Sequence, residues 1–387
     1  MGPNCVINFE NNPDKVVYSN DLLHGNVQLR LTEAKTVRSV FIKFSGDSHT
    51  EWYIKKRDRS SNHNRTKRRY YRGHENFLTK RISLAGGDNG SMQLGRGEHN
   101  FNFQFRLPAH LPSSFEGTFG FIRYVATVVL DIPNWPDDEF EQPFTVIKPL
   151  DLNDELELRN PVVVEENHTY YPCFLLCCFP SDPLSIVAQM PVGGYAPGQT
   201  INLTLNADNR SNTRVPEFKM ELVQSITYYA EGDSKHQTIC IVEKESSRGV
   251  ETNQKRIIRI NLEVPSFPPS DETTSGIIKI RYFIRISGSG TCCDNPEIIL
   301  PITIGTKPIE DFAETVIPDA YSPSAPFAPN IQPSAPPMMN NDSAPPYVVD
   351  EPPTYEEAIH SKGSTGNNYK PKYRMFRRQT SYSLNGN

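Results

Sequence analysis

The sequence contains no uninterrupted apolar run of about 18 residues, so no membrane-spanning helix is expected. Its opening, MGPNCVINFENNPDKVVYSN, has no basic stretch leading into an apolar one, which argues against a secretory leader. Gly2 follows Met1, but Val6 stands where a myristoylation signal needs Ser or Thr. Cysteine is sparse and unevenly placed. The seven residues are an odd number, with Cys177-Cys178 and Cys292-Cys293 adjacent. That is a poor disulfide framework and fits a reducing compartment, so Asn-x-Ser/Thr sequons, those at Asn89, Asn167 and Asn202 among others, read as chance.

The familiar catalytic signatures are missing too. There is no Gly-x-Ser-x-Gly, His-Glu-x-x-His, phosphate-binding Gly-Lys-Ser/Thr or Gly-x-Gly-x-x-Gly. The nine histidines are scattered, and Glu165-Glu166 and Asp137-Asp138 read as turn carboxylates. A zinc site would want four ligands at Cys-x-x-Cys spacing, which Cys173, Cys177, Cys178 and His168 do not supply. An enzyme, a resident cofactor and a metal are therefore not expected. The formal net charge of −5 gives no general attraction to nucleic acid.

What the chain has is strand. FNFQFRL (101–107) alternates apolar and polar residues at period two. GFIRYVATVVLDI (120–132), KMELVQSITYYA (219–230), QKRIIRINLEV (254–264) and GIIKIRYFIRISG (276–288) are rich in β-branched and aromatic residues. Turn clusters such as AGGDNGS and PSFPPSD separate them, and no long amphipathic helix is evident. The pattern predicts an all-β chain of sandwiches. An internal echo sets their number. LLHGNVQLRL resembles YAPGQTINLTL, and both LPAHLPSSFEGTFGFIRYVATVVLDIP and VPSFPPSDETTSGIIKIRYFIRISG run from a proline-serine loop into a strand carrying Ile-Arg-Tyr. Two tandem immunoglobulin-like β-sandwiches explain this more simply than one large barrel. The expected boundaries are 5–150 and 184–306, with a connection at 151–183 and a tail from 307 to 387. Thirteen prolines from Pro308 onward and few aliphatics leave that tail too little apolar surface to offset its ordering entropy, so disorder is expected there.

The tail carries short motifs. Pro352-Pro353-Thr354-Tyr355 matches the Pro-Pro-x-Tyr ligand of WW domains: the prolines preset polyproline II, and the tyrosine fills a second pocket. Pro-Ser-Ala-Pro occurs twice, as Pro323, Ser324, Ala325, Pro326 and as Pro333, Ser334, Ala335, Pro336. This is the type of motif bound by the ubiquitin-variant domain of ESCRT-I, although Pro, Ser and Ala are also what linkers are made of. Thr380 follows Arg377-Arg378 by the spacing basophilic kinases prefer, making it a candidate phosphosite.

Two segments within the sandwiches stay open to more than one reading. Lys55, Lys56, Arg57, Arg59, Arg65, Lys67, Arg68, Arg69 and Arg72 are crowded into 18 residues with a single acid, Asp58. They suit a solvated hairpin, a patch for acidic lipid headgroups or acidic cargo, or a nuclear-import signal. Cys173, Cys177 and Cys178 lie in a short apolar run and suit either packing at the domain junction or palmitoylation.

Together the repeat, the Ile-Arg-Tyr strands and the tail resemble the α-arrestins, the arrestin domain-containing proteins. LPSSFEGTFGFIRYVATVVLDIP looks like the end of their N-terminal domain. YAPGQTINLTLNADNRSN looks like the opening of the C-terminal one, and GSGTCCDNPEIILPITIG like its last strand. The resemblance covers about residues 5–305. It implies a curved pair of arrestin-fold sandwiches acting as a trafficking adaptor, cytoplasmic and peripheral at plasma membrane and endosomes. The sandwiches would contact receptor or transporter cargo, and Pro352, Pro353 and Tyr355 would recruit a WW-bearing HECT-type ubiquitin ligase. The chain departs from the β-arrestin pattern in lacking an acidic-leucine clathrin box. The rival expectations are a retromer-like sorting scaffold that works without a ligase, and an adhesion module, which would want a leader and inter-sheet cysteines.

Overall fold

The structure is a computed structural model describing residues 3–10, 12–57, 66–87, 90–170, 182–289, 295–310 and 370–375. Strand follows strand, as the alternating pattern requires. The first sandwich contains β1 (Asn4–Phe9), β2 (Val16–Tyr18), β3 (Leu22–Leu31), β4 (Lys35–Val37), β5 (Ser39–Arg57), β6 (Thr66–Gly86), β7 (Met92–Leu94), β8 (Gly97–Arg106), β9 (Phe115–Gly117), β10 (Gly120–Asp131) and β11 (Asp138–Ile147). One sheet runs β1-β3-β8 and the other β2-β11-β10-β5-β6, with β9 paired to β10 and a small β4-β7 pair beside them. Phe9, Phe44, Phe103 and Phe144 meet between the sheets, the Phe44 and Phe103 ring centroids 5.4 Å apart.

The second sandwich contains β12 (Val162–His168), β13 (Leu184–Met190), β14 (Gly194–Tyr195), β15 (Thr200–Asn209), β16 (Phe218–Ala230), β17 (Asp233–Glu245), β18 (Gln254–Glu263), β19 (Ile278–Gly288) and β20 (Glu297–Ile304). Its sheets run β12-β13-β15-β18 and β14-β20-β19-β16-β17. Part of the segment read as a connection, 151–183, joins the second sandwich. It contributes a 3-10 turn at Leu156–Arg159 and the edge strand β12, which pairs antiparallel with β13. Glu165 and Glu166 lie on this strand, and Asp138 opens β11, so these carboxylates are in strands rather than turns. Every second residue of β12 faces solvent with no run of buried apolar positions, which hides an edge strand from a hydrophobicity reading.

The internal echo has a physical basis in each corner. Tyr124 on β10 is buried and its hydroxyl donates to the Pro112 carbonyl at 2.7 Å; Tyr282 on β19 does the same to Pro268 at 2.7 Å. The Ser114 hydroxyl accepts the Val146 N–H at 3.0 Å, and that of Ser270 accepts the Ile304 N–H at 2.9 Å. A short parallel strand finishes each sheet: β2 beside β11, β14 beside β20. The proline-serine loops therefore serve as corners that satisfy backbone groups otherwise left unpaired in the interior.

The sandwiches meet along a polar seam. Thr50 Oγ1 donates to the Tyr229 carbonyl at 2.8 Å, Gln237 Nε2 to Thr118 Oγ1 at 2.8 Å, and Lys148 Nζ lies 3.3 Å from Asp271 Oδ1. The Glu75 carboxylate, from β6, accepts the Ser275 hydroxyl at 2.9 Å and the Gly276 N–H at 3.0 Å. The two bodies are thus held by directed hydrogen bonds as well as by packing.

Candidate interaction surface

Strand β10 pairs with β5 only as far as Gly120 opposite Thr50, while the β5–β6 pairing continues to Arg57 opposite Thr66. Beyond Glu51 the two strands form a ribbon of their own. Such a ribbon is marginal unless its side chains pack. Here they do. Trp52 and Tyr71, directly opposed, are buried and stacked with centroids 5.5 Å apart, and the Arg69 guanidinium sits 5.0 Å from the Tyr71 ring. On the other face Tyr53 and Tyr70 are 47% and 42% exposed, their rings 5.7 Å apart. Arg68 lies 4.9 Å over Tyr53, Arg72 5.4 Å over Tyr70, and Arg72 also reaches Glu51 at 3.4 Å.

The basic run is therefore divided by the pleat. Lys55, Arg68 and Arg72 share a face with two exposed tyrosines, whereas register puts Lys67 and Arg69 on the side of Trp52. Arg59 and Arg65, with the side chains of Lys56 and Arg57, lie outside the described residues. A sequence count of charge missed the tyrosines, although Tyr53 and Tyr70 alternate with the basic positions and mark the face. Exposed aromatics capped by guanidinium groups have the composition of interface anchors.

The remaining candidates fall outside the description. Pro352, Pro353 and Tyr355, both Pro-Ser-Ala-Pro copies, Cys173, Cys177, Cys178 and Thr380 all lie outside the described residues.

One side-chain cluster does invite a metal reading. Glu221, Cys240 and Glu243 place ligand atoms close together on the second sandwich. Two cations already hold the carboxylates, however: Arg285 Nε is 2.7 Å from Glu221 and Lys219 Nζ 2.6 Å from Glu243. Burial, reinforced by the two carboxylates, pushes the Cys240 thiol up to about 11, so it is a poor thiolate donor. The cluster is an ion-pair network. Its hydrogen bond from Arg285 holds the Glu221 carboxyl below its ordinary 4.5. A depressed folded value means the stabilisation is fully present above pH 4.5 and is lost as pH falls through the folded value. Glu221→Gln should therefore lower stability at pH 7 by about 1 kcal/mol and flatten the acid limb of a denaturation-versus-pH curve. An unchanged acid limb would rule out this role.

Comparison with known proteins places these features. The model for the N-terminal domain of arrestin (or S-antigen) matches residues 5–153, and that for the C-terminal domain matches 180–309. Similar proteins include arrestin domain-containing protein 17 of Caenorhabditis elegans, 26% identical over 77% of this chain and 69% of its own length. Human arrestin domain-containing protein 1 is 27% identical over 84% of this chain and 69% of its own. Mouse arrestin domain-containing protein 4 is 28% identical over 61% and 56% respectively. With both domain models matched in order, one on each sandwich, the chain belongs to the arrestin family, and its homologues are arrestin domain-containing proteins, the α-arrestins.

Proposed function

We propose that this chain is a non-catalytic trafficking adaptor that joins membrane cargo to a WW-domain HECT-type ubiquitin ligase. The observation that carries the reading is the attachment of Pro352-Pro353-Thr354-Tyr355 to a paired arrestin body. The body supplies recognition and the motif supplies a docking strand for an enzyme the chain itself does not contain. Cargo ubiquitination, endocytosis and endosomal sorting follow from that arrangement. The doubled Pro-Ser-Ala-Pro at 323–326 and 333–336 supplies a second docking strand, for ESCRT-I. In this reading the face formed by Tyr53, Tyr70, Lys55, Arg68 and Arg72 serves as the cargo-side or acidic-membrane contact, supported by its exposed tyrosines and the guanidinium groups over them, and the protein works peripherally at plasma membrane and endosomes.

The test is binding of a peptide spanning 319–362 to an array of WW domains beside its Tyr355→Ala counterpart. Micromolar binding is expected. Truncating the anchor tyrosine should cost about 2 kcal/mol or more, roughly 30-fold in affinity. No binding, or binding indifferent to Tyr355, would sink the ligase mechanism and leave a sorting scaffold that works through its sandwiches.

A further inference from the structure

Of the chain's two tryptophans, Trp52 is buried against Tyr71, whereas Trp135 is 76% exposed. The sequence around Trp135 explains how it is displayed. Ile132-Pro133-Asn134-Trp135 closes the β10–β11 hairpin with proline second and Asn134 third, at a φ of 62°, as a type II turn requires. The Trp135 N–H donates to the Ile132 carbonyl at 3.4 Å. Asp137 Oδ1 accepts the Ile132 N–H at 3.1 Å, tying one side of the loop to the other. Arg38 clamps the base: its backbone N–H donates to the Asp131 carbonyl at 2.7 Å and its Nε to Asp131 Oδ1 at 2.7 Å. Lys35 on β4 pairs with Asp138. The turn is built before any partner arrives, and it presents the indole to solvent. A large, rigid aromatic on a preformed loop has the character of an interface anchor, since little order remains to be imposed on binding.

The surroundings say which partner fits. From Asp131 to Glu141 the sequence has five acids and no lysine or arginine. Among the described residues, Arg38 and Lys35 offset only Asp131 and Asp138. Asp137 in the loop and Glu139 and Glu141 on β11 are exposed. An anionic lipid surface would be repelled here. A guanidinium or ammonium is drawn both to the indole face, the best of the aromatic rings for a cation, and to the carboxylates beside it. The ribbon end of the same sheet has the opposite sign. β5 begins at Ser39, opposite Asp131, and runs 19 residues to Arg57, so the two surfaces lie up to about 60 Å apart.

We propose that the 132–137 turn is a docking knob for a cationic protein segment, one of whose arginines or lysines stacks on Trp135 while its neighbours face Asp137 and Glu139. On the adaptor reading, such a segment is the cytoplasmic flank of a cargo's membrane span, where lysine and arginine are in excess. That identification rests on the proposed function; the cationic partner does not.

Fluorine NMR of the full-length chain labelled with 5-fluorotryptophan tests it, because two tryptophans give two resonances and Trp52 is a built-in control. On titration with a short peptide of alternating arginine and serine, the Trp135 resonance should shift and saturate while that of Trp52 stays. The same peptide with citrulline for arginine should move neither. By calorimetry, Trp135→Ala should weaken binding of the arginine peptide about tenfold, and Asp137→Asn/Glu139→Gln by a similar factor. Asparagine at 137 still accepts the Ile132 N–H, so the turn is kept. Equal binding to Trp135→Ala, or a Trp135 shift no larger than with the citrulline peptide, would overturn the knob. A shift produced instead by phosphatidylcholine vesicles would replace the proposal with a membrane contact. A shift produced by protein concentration alone, and abolished in Arg68→Glu/Arg72→Glu, would replace it with a contact between copies. The WW-domain array keeps the two readings apart. Arginine-peptide binding without WW binding overturns the adaptor reading alone, and WW binding without a Trp135 response overturns the knob alone.

Discussion

Tyr124→Ala is expected to destabilise the first sandwich by about 3–5 kcal/mol, a large fraction of the roughly 5–15 kcal/mol that holds an ordinary domain folded. The ring is fully buried and rests on Gly46, its partner across the β5–β10 ladder. A Cβ at Gly46 would come within 2.4 Å of that ring, so the glycine is the seat the tyrosine occupies. Alanine at 124 leaves a cavity over Gly46 and also leaves the Pro112 carbonyl without its donor. Tyr124→Phe separates the two effects: it keeps the ring, loses the 2.7 Å hydrogen bond, and should cost about 1–2 kcal/mol. The repeat provides an internal comparison. The Tyr282 hydroxyl also accepts Gln224 Nε2 at 2.8 Å, inside the second sandwich. Tyr282→Phe strands an amide donor as well as a carbonyl, so it should cost more than Tyr124→Phe. Urea denaturation followed by fluorescence would rank the three variants. Equal costs for the two phenylalanines would show that Gln224 contributes nothing through this bond.

These corners explain why so much of the fold was legible in the sequence. Tyrosine after Ile-Arg, and serine after proline, recur because each sandwich must close the same corner with the same hydrogen bonds. Alternation in β3, β10 and β15 marks strands with one face in a core, and period two survives wherever that holds. Legibility ended where a strand has no strong apolar period. β12 is an exposed edge, while β2 and β14 are too short to show a pattern. The candidate face on the β5–β6 ribbon was half legible. Charge density located the ribbon, but only the β5–β6 register divided it and brought Tyr53 and Tyr70 together. Pro352-Pro353-Thr354-Tyr355 and the two Pro-Ser-Ala-Pro copies were recognisable in the sequence alone, and they lie outside the described residues. The seam was not legible, because it joins residues 119 to 201 positions apart whose types are ordinary.

Glu75→Ala should expose what the seam contributes. The carboxylate gathers the Ser275 hydroxyl at 2.9 Å, the Ser48 hydroxyl at 3.3 Å and the Gly276 N–H at 3.0 and 3.1 Å to its two oxygens. Ser275 is itself a corner, accepting the N–H groups of Ile277 and Ile278 at 3.2 and 3.0 Å. Removing the carboxylate therefore loosens the loop of one sandwich from the ribbon base of the other. Hydrogen bonds to a charged acceptor contribute about 1.5–3 kcal/mol, and a coupling loss of about 2 kcal/mol is expected. Calorimetry should show a single transition in the unaltered protein separating into two in the variant, with the first sandwich keeping its own midpoint. Gly276→Ala should act in the same direction by a different cause, since a Cβ there would lie 2.5 Å from Glu75 Oε1. Glu51→Ala removes only exposed pairs, with Arg72 and His49, and should cost less than about 0.5 kcal/mol. Residues 370–375 report on the seam from a distance. Tyr373 spans Ser114 and Ser266, so its docking requires the two corners to stay in register. A seam loosened at Glu75 should therefore also speed hydrogen exchange in 370–375, far from the substitution. Faster exchange there, with both sandwiches intact, would tie the angle between the bodies to the placement of the tail. Unchanged exchange together with an unsplit transition would show that Thr50, Gln237 and Lys148 hold the seam without Glu75.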